Sequence, residues 1–274
     1  MTLFYKLLTW AVSFHPFERG RIFFFHHFVY QKALGRHLQQ MKNPVRMKTG
    51  FTLNTYDNGD FTSTWFRLYR SYENPTKRAL LSHCTPNSIF LDLGANMGLF
   101  TIGIPHIRRD MCAIGIEPNP LTHQMLAQSI RDNGLQDRVY TFEIAAGEAD
   151  GEAQFFTNLE NSGDSGMAIE GVAQSVTVQV RQLDRYEPLL SLLTRLNRKI
   201  SCVKMDIQGT EVLALRGMRE ILRQHQPALI IELAEDCLVR FGHTGEDLRR
   251  EIEHCGYQQV GFVENNIVAL PVKA

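Results

Sequence analysis

The chain has 274 residues, of which 44% are hydrophobic and 10% aromatic, and this length favours one well-buried domain with an appendage over two equal domains. The 29 basic and 29 acidic residues cancel, so the composition indicates no bulk attraction to nucleic acid or to an anionic membrane. The five cysteines are scattered and form no C-x-x-C pair. That pattern indicates reduced thiols and argues against a disulfide framework or a zinc site.

Residues 1–80 are aromatic-rich and irregular in pattern, and we interpret them as a lid or oligomerisation region. Apolar residues recur at helical spacing over residues 3–11, and a dense aromatic run follows at residues 23–30. The first apolar stretch is too short for a membrane span and lacks the positive flank of a secretory signal, so we expect a cytoplasmic protein with no integral membrane segment.

Two segments near the end of this region, residues 47–53 and 61–69, are separated by Asp57-Asn58-Gly59-Asp60. Because Asn-Gly favours a tight two-residue turn, these segments predict a β-hairpin.

From about residue 80 the chain alternates strand-like and helix-like segments, which is typical of a parallel sheet with crossover helices. The predicted strands of this sheet cover residues 88–93, 112–116, 139–146, 200–207, 228–233, 258–263 and 266–271. Two further alternating runs at residues 153–157 and 175–180 predict a β insertion over about residues 147–187. Predicted helices follow Gly94, begin at Pro120, span residues 212–222 and open with a capping box at Thr244.

A glycine turn, Asp92-Leu93-Gly94-Ala95-Asn96-Met97-Gly98, stands between the first of these strands and its helix. Such a turn lets the backbone approach a ligand closely and presents free helix N–H groups. The G-x-x-x-G spacing differs from the G-x-G-x-x-G dinucleotide fingerprint. The charge of Asp92 would repel a pyrophosphate but favours the ammonium and sulfonium of S-adenosylmethionine. A purely structural turn is the alternative at this point.

Glu117 follows the next predicted strand, where an acidic residue can accept hydrogen bonds from both ribose hydroxyls of a nucleoside. Pro118 beside it is placed to pack on the adenine ring. A single loop carboxylate is often only solvated, but the joint spacing of Asp92 and Glu117 favours a cofactor site.

Two more acidic residues stand at predicted strand ends, Asp206 and Glu232, on the sheet edge where doubly wound folds bind ligands. Asp206 can accept the proton of a substrate hydroxyl, and we interpret both residues as catalytic. The alternatives for Asp206 are orienting the cofactor ammonium or holding a divalent ion with Glu232, and we rank metal binding below no metal. Lys204 is interpreted as a salt-bridge partner rather than a base, and Glu211 as an acid favoured by a helix dipole.

Taken together, the segments over about residues 72–262 resemble the FkbM-type family, a branch of the class I S-adenosylmethionine-dependent methyltransferases. The matching segments, in chain order, are residues 72–73 (YE), 90–101 (FLDLGANMGLFT), 116–120 (IEPNP), 145–148 (AAGE), 161–163 (NSG), 182–184 (QLD), 203–211 (VKMDIQGTE) and 230–232 (IIE).

The resemblance implies a Rossmann-like α/β three-layer sandwich with a mainly parallel seven-stranded sheet and an N-terminal helical and hairpin extension. It implies that residues 81–274 bind S-adenosylmethionine, release S-adenosylhomocysteine and methylate a hydroxyl of a small molecule such as a polyketide, sugar or lipid. The cofactor-binding residues that it implies are Glu73, Asp92, Gly94, Asn96, Gly98, Glu117, Pro118 and Ala145.

Two other functions stay open from the sequence: a nucleotide-binding oxidoreductase and a non-catalytic cofactor-binding scaffold that docks a partner or membrane surface. For the favoured function we expect a small-molecule acceptor and no nucleic-acid partner. A homo-oligomer formed through the aromatic N-terminal region is a further open alternative.

Overall fold

The computed structural model describes residues 43–57, 60–158, 161–167 and 175–272. The helical spacing at residues 3–11, the aromatic run at residues 23–30 and the proposed oligomer contact there lie outside the described residues. None of the described helices combines the length and apolar character needed to cross a membrane.

The described strands are β1 (Val45–Arg46), β2 (Thr52–Leu53), β3 (Ile89–Leu93), β4 (Cys112–Ile116), β5 (Val139–Phe142), β6 (Ala145–Ala146), β7 (Gly151–Phe156), β8 (Ser175–Arg181), β9 (Ile200–Met205), β10 (Ala228–Glu232), β11 (Tyr257–Val263) and β12 (Asn266–Pro271). The described α-helices are α1 (Phe61–Tyr69), α2 (Asn74–His83), α3 (Leu99–Ile107), α4 (Pro120–Asp132), α5 (Glu187–Leu196), α6 (Glu211–Gly217), α7 (Arg219–His225), α8 (Glu235–Arg240) and α9 (Gly245–His254).

A seven-stranded sheet with the order β11-β12-β10-β9-β3-β4-β5 forms the centre of the molecule. The five strands from β10 to β5 are parallel, and β12 and β11 complete the sheet in antiparallel pairs. The mainly parallel seven-stranded sheet predicted from the sequence is therefore confirmed. The chain proceeds outward from β3 to β5 and then outward in the other direction from β9, so the strand order reverses between β3 and β9. Ligands bind at such a reversal in open α/β sheets.

Helices cover both faces of this sheet, which makes the domain a three-layer sandwich. Phe90 and Cys202 point to the face covered by α1, α2, α3 and α4, together with the β1–β2 hairpin. Ile89, Leu91 and Val203 point to the face covered by α5, α6, α7, α8 and α9. Every residue of β3 and β4 is buried, as expected for parallel strands between two helical layers.

The predicted hairpin between residues 47–53 and 61–69 is wrong, because residues 61–69 form the helix α1. The hairpin of this region instead pairs β1 with β2. Asp60 caps α1 by accepting the backbone N–H of Ser63 at 2.7 Å. Within the helix, Arg67 Nη2 donates back to the carbonyl oxygen of Tyr56 at 2.6 Å, which holds α1 against the preceding segment.

The predicted third strand, residues 139–146, is also longer than the strand observed. Pairing of β5 with β4 stops at Phe142, whose carbonyl accepts the N–H of Glu117. The chain then leaves the central sheet, and β6 pairs with β8 through Ala145 and Val180. The insertion predicted over residues 147–187 does contain two strands, β7 and β8, which pair antiparallel in a separate three-stranded sheet.

The single helix predicted over residues 212–222 is two helices, α6 and α7, which meet at Met218. Asp184 explains the new helix start, because its two carboxylate oxygens accept the N–H groups of Glu220 and Ile221 at 2.9 Å each. The capping box predicted at Thr244 is confirmed at the start of α9.

Candidate functional site

A single cavity lies at the carboxyl ends of β3, β4, β9 and β10, beside the reversal of strand order. Residues from α1, from the segment between α1 and α2 and from the β insertion complete its wall. Most of the predicted site residues line this cavity: Glu73, Gly94, Asn96, Glu117, Pro118, Ala145, Asp206 and Glu232.

Gly94 begins the turn after β3 with a φ of 81°, a left-handed backbone conformation that residues other than glycine adopt only with strain. A Cβ atom at this position would lie 1.8 Å from the carbonyl oxygen of Asp206. The turn therefore packs directly on the loop after β9, and glycine is required by both the backbone angle and the contact.

Glu117 follows β4 and is only 5% exposed. Its Oε2 accepts the N–H of Asn96 at 2.8 Å, and its Oε1 accepts the N–H of Asn119 at 3.0 Å. Burial raises the pKa of Glu117 to about 7, although both amides oppose that rise. Each carboxylate oxygen keeps a second lone pair for a ligand hydroxyl.

Two of the predicted cofactor residues, Asp92 and Gly98, lie outside the lining of the cavity. Asp92 is 1% exposed, and its Oδ2 accepts the hydroxyl of Thr101 at 2.6 Å. Its Oδ1 has no hydrogen-bond partner among the described residues. Gly98 precedes α3 with a φ of 98°, and a Cβ there would lie 2.5 Å from a methyl group of Leu126. Direct contact of either residue with a cofactor stays a prediction.

Lys204 is the basic centre of the site and is 2% exposed. Its Nζ lies 2.8 Å from Oδ2 of Asp206 and 5.4 Å from the centroid of the Phe100 ring. Burial alone would lower the pKa of Lys204, but Asp206, Glu73 and Asp92 outweigh burial and raise the pKa well above its ordinary value. The salt-bridge interpretation of Lys204 is therefore confirmed.

The two carboxyl groups interpreted as catalytic are joined by Gln208. Its amide nitrogen donates to Oδ1 of Asp206 at 3.0 Å and to Oε2 of Glu232 at 2.9 Å. Burial would raise the pKa of Asp206, but Lys204 outweighs it and keeps that pKa below its ordinary value. The charge of Asp206, together with burial, raises the pKa of Glu232 far above its ordinary value. The pair Asp206 and Glu232 therefore titrates as a coupled unit, in which Lys204 favours the charged form of Asp206 and that charge favours the protonated form of Glu232.

Glu73 also lines the cavity, in a left-handed conformation (φ 43°) just before α2. Burial raises the pKa of Glu73 to about 7, against the opposing attraction of Lys204. Glu264 holds the first turn of α2 in place, because its Oε2 accepts the hydroxyl of Thr76 at 2.5 Å and the N–H of Thr76 at 3.2 Å. The turn between β11 and β12 therefore fixes the start of α2 and with it the position of Glu73.

Individual residues in three parts of the cavity wall were not named from the sequence. Thr62 and Phe66, one helical turn apart on α1, line the cavity, as do residues 161–165 and Gln208. The spacing of Phe61, Trp65 and Tyr69 was a helix signal that the Asn-Gly turn obscured. Residues 161–163 and 208 belong to segments of the family resemblance, but no single residue among them was assigned to the site.

Glu211, the first residue of α6, is 2% exposed and lies behind the loop that follows β9. Its Oε1 accepts the N–H groups of Ile207 at 3.1 Å and Gly209 at 3.3 Å, so its carboxylate holds this loop in addition to facing the helix dipole. Within the part of the chain that the structure describes, no group of three or more His, Cys, Asp or Glu side chains is arranged to hold a metal ion.

The strand order, the glycine turn after β3 and the acidic residue after β4 define a Rossmann-like class I methyltransferase fold. The family model for the methyltransferase FkbM domain matches residues 92–258. The chain therefore belongs to the FkbM family of S-adenosylmethionine-dependent methyltransferases. This membership leaves the oxidoreductase alternative without support. A search of curated proteins found no match.

Several solved structures resemble the chain. The methyltransferase FkbM of Methylobacillus flagellatus is 17% identical, with a TM-score of 0.45 over 76% of this chain and 52% of that chain. StiE O-MT is 12% identical, with a TM-score of 0.41 over 71% of this chain and 55% of that chain. P. horikoshii TYW2 in complex with MeSAdo is 12% identical, with a TM-score of 0.41 over 81% of this chain and 67% of that chain. The chain spans about half the length of the first two.

Proposed function

We propose that the protein transfers the methyl group of S-adenosylmethionine to a hydroxyl oxygen of a small molecule. The observation that carries this proposal is the position of the Asp206 carboxylate, paired with the buried Lys204, in the same cavity as the Gly94 turn and Glu117. Because Lys204 makes this carboxylate a weak base, we assign to it the orientation of the hydroxyl group and the uptake of its proton late in the transfer, when methylation has made the oxygen acidic.

The residues around the cavity fit S-adenosylmethionine by their chemistry. We assign the ribose hydroxyls to Glu117, whose orientation the N–H groups of Asn96 and Asn119 maintain. Pro118 and Ala145 line the wall beside it and suit the adenine ring. Glu73 and Asp206 supply negative charge that favours the ammonium and sulfonium groups. When bound, the cofactor supplies an electrophilic methyl group on a positively charged sulfur.

A bound S-adenosylmethionine would supply its methyl group to the acceptor oxygen and would leave the carbon–sulfur electron pair on sulfur. Asp206 would orient the hydroxyl group and take up its proton as the oxygen is methylated. Gln208 donates to both Asp206 and Glu232 and holds the two carboxyl groups in place. The largest contribution of the protein is to hold the acceptor oxygen in line with the methyl group.

We further propose that the N-terminal region forms a lid over the domain at residues 81–274 and helps to define the acceptor pocket. Phe66 and Tyr72 from this region and Phe155 and Met167 from the β insertion line the cavity. Apolar surface of this kind suits a polyketide or lipid-type acceptor. The cytoplasmic location and the absence of a nucleic-acid partner stay predictions.

The test is methyl transfer from labelled S-adenosylmethionine to a panel of polyketide, sugar and lipid acceptors that differ only in a free or blocked hydroxyl. We expect transfer to the free hydroxyls, and a rate that falls about 100-fold in Asp206→Asn. Affinity for S-adenosylhomocysteine should change far less in this variant, and EDTA should leave the wild-type rate unchanged.

Asp236→Asn is the matched control, because Asp236 lies just beyond β10 with a side chain that is 82% exposed. A wild-type rate in Asp206→Asn would remove Asp206 from the chemistry. Transfer to nitrogen acceptors alone would overturn the hydroxyl assignment, and loss of the rate in EDTA would establish a metal.

A further inference from the structure

Asp60 immediately precedes α1 and is 1% exposed. One carboxylate oxygen, Oδ2, accepts the N–H of Ser63 at 2.7 Å, which is the ordinary bond of a helix N-cap. The same carboxylate also bonds to Ser162, which lies far along the chain in the β insertion. The backbone N–H of Ser162 donates to Oδ1, and its hydroxyl donates to Oδ2 at 3.1 Å. One buried side chain therefore joins the start of α1 to residues 161–165.

Two further hydrogen bonds connect residues 161–165 to α1 and to Asn96. The hydroxyl of Thr62, in the first turn of α1, donates to Oδ1 of Asn161 at 3.0 Å. On the other side, the amide nitrogen of Asn96 donates to the carbonyl oxygen of Ser162 at 3.3 Å. Because the backbone N–H of Asn96 bonds to Glu117, the contacts run without a break from α1 to the proposed ribose site.

Residues 161–165 all line the cavity, whereas Asp60 itself does not. A helix cap needs only one acceptor oxygen, so the N-cap role does not explain the bonds to Ser162. Burying a carboxylate is unfavourable unless hydrogen bonds satisfy it, and the donors of Ser63 and Ser162 supply that compensation. Burial raises the pKa of Asp60, and these same donors oppose the rise.

We infer that Asp60 is a positioning residue that holds residues 161–165 against the bound cofactor and thereby couples α1 to cofactor retention. This inference rests on the cofactor site proposed above. It assigns to the N-terminal region a task in cofactor binding, separate from any contact with the acceptor.

The test uses Asp60→Asn in the full chain. Asparagine is as good an N-cap as aspartate, so its oxygen can keep the bond to Ser63. Its amide group then faces the N–H of Ser162, where a donor meets a donor. Because hydrogen bonds to a charged group are stronger than those to a neutral one, the loss of the Asp60 charge should loosen residues 161–165, and we expect S-adenosylhomocysteine to bind about tenfold more weakly. The loss should lie in a faster dissociation rate, and amide exchange of residues 161–167 should accelerate without cofactor.

Asp57→Asn is the matched control, because Asp57 also bonds to α1, through Arg67 at 2.6 Å, but is largely exposed and makes no hydrogen bond to residues 161–165 within the described part of the chain. Asp60→Ser is the second variant, because serine is also a good N-cap. It shows whether the effect of Asp60→Asn comes only from a folding defect of that variant. Wild-type dissociation and exchange rates in both Asp60 variants would overturn the inference and leave the cofactor proposal standing. Failure of the wild-type protein to bind S-adenosylhomocysteine would overturn the cofactor site itself.

Discussion

The two ends of the cavity are built from different kinds of interaction. At the end formed by β3 and β4, backbone groups determine the geometry: Gly94 fits against the Asp206 carbonyl, and two amides orient Glu117. At the end formed by β9 and β10, ionisable side chains determine it, with Lys204 paired to Asp206 and Gln208 between two carboxyl groups. A site formed by backbone groups, as at the β3 and β4 end, can bind the same ligand in many enzymes that share the fold. Side chains, as at the β9 and β10 end, can be substituted to suit a different acceptor without altering the fold.

This comparison predicts that changes at the first end alter cofactor affinity, and changes at the second alter rate and pH dependence. Gly94→Ala should have the largest effect, since it adds a Cβ 1.8 Å from a carbonyl oxygen at a φ of 81°. We expect a loss of about 3 kcal/mol in unfolding free energy and no measurable binding of S-adenosylhomocysteine by calorimetry.

Gly134→Ala provides the control, because Gly134 also has a positive φ but no atom within 4 Å of its added Cβ. Gly134→Ala should lower the free energy of unfolding by only about 1 kcal/mol. Equal effects of the two substitutions would show that backbone strain, and not the contact with the loop after β9, explains the requirement at Gly94.

Lys204→Met should have the next largest effect, because it leaves Asp206, Glu73 and Asp92 without their buried cation. Removing one partner of a buried ion pair costs about 3 kcal/mol. The loss should be greater at pH 8 than at pH 5, since the carboxyl groups can take up protons at the lower pH. Denaturant unfolding at both pH values measures it. Lys199→Met, at an exposed position just before β9, should stay within about 0.5 kcal/mol of wild type at both.

Glu117→Gln should weaken S-adenosylhomocysteine binding about tenfold, because the charged acceptor is lost and the new amide group sets a donor against the N–H of Asn96 or Asn119. Glu152→Gln is a suitable comparison, since Glu152 is exposed on β7 and accepts an amide of Gln179 at 2.7 Å. Calorimetry measures the affinity of both variants for S-adenosylhomocysteine. An unchanged affinity in Glu117→Gln would exclude Glu117 from the ribose site.

The last prediction concerns the pH dependence of stability through Glu211, whose pKa burial raises from 4.5 to about 7. Because the folded state holds this proton more tightly than the unfolded state, stability is fully present below pH 4.5 and declines as the pH rises through 7. One such group contributes a slope of about 1.4 kcal/mol per pH unit in this window. Glu211→Gln keeps an acceptor oxygen and should remove that slope from the unfolding free energy, whereas the exposed Glu253→Gln should keep it. Identical pH profiles of Glu211→Gln and wild type would contradict the raised pKa.

The sequence by itself determined the central sheet and most of the cofactor end. Buried parallel strands form continuous apolar runs, and a glycine turn between strand and helix depends on a few consecutive residues. Local patterns of this kind led to Gly94, Asn96 and Glu117, and all three line the cavity. The acidic residues at the ends of β9 and β10 followed from the same rule of strand ends.

Only the tertiary structure decided the features that depend on residues distant in the chain. Residues 61–69 became a helix because Asp60 caps them and Arg67 bonds back to Tyr56, whereas the sequence favoured a turn at Asn-Gly. The contact of Asp60 with Ser162 spans 102 positions, and no local pattern encodes it. The opposite pKa shifts of Asp206 and Glu232 likewise required the structure, because a pKa depends on burial and on the charges that folding brings near.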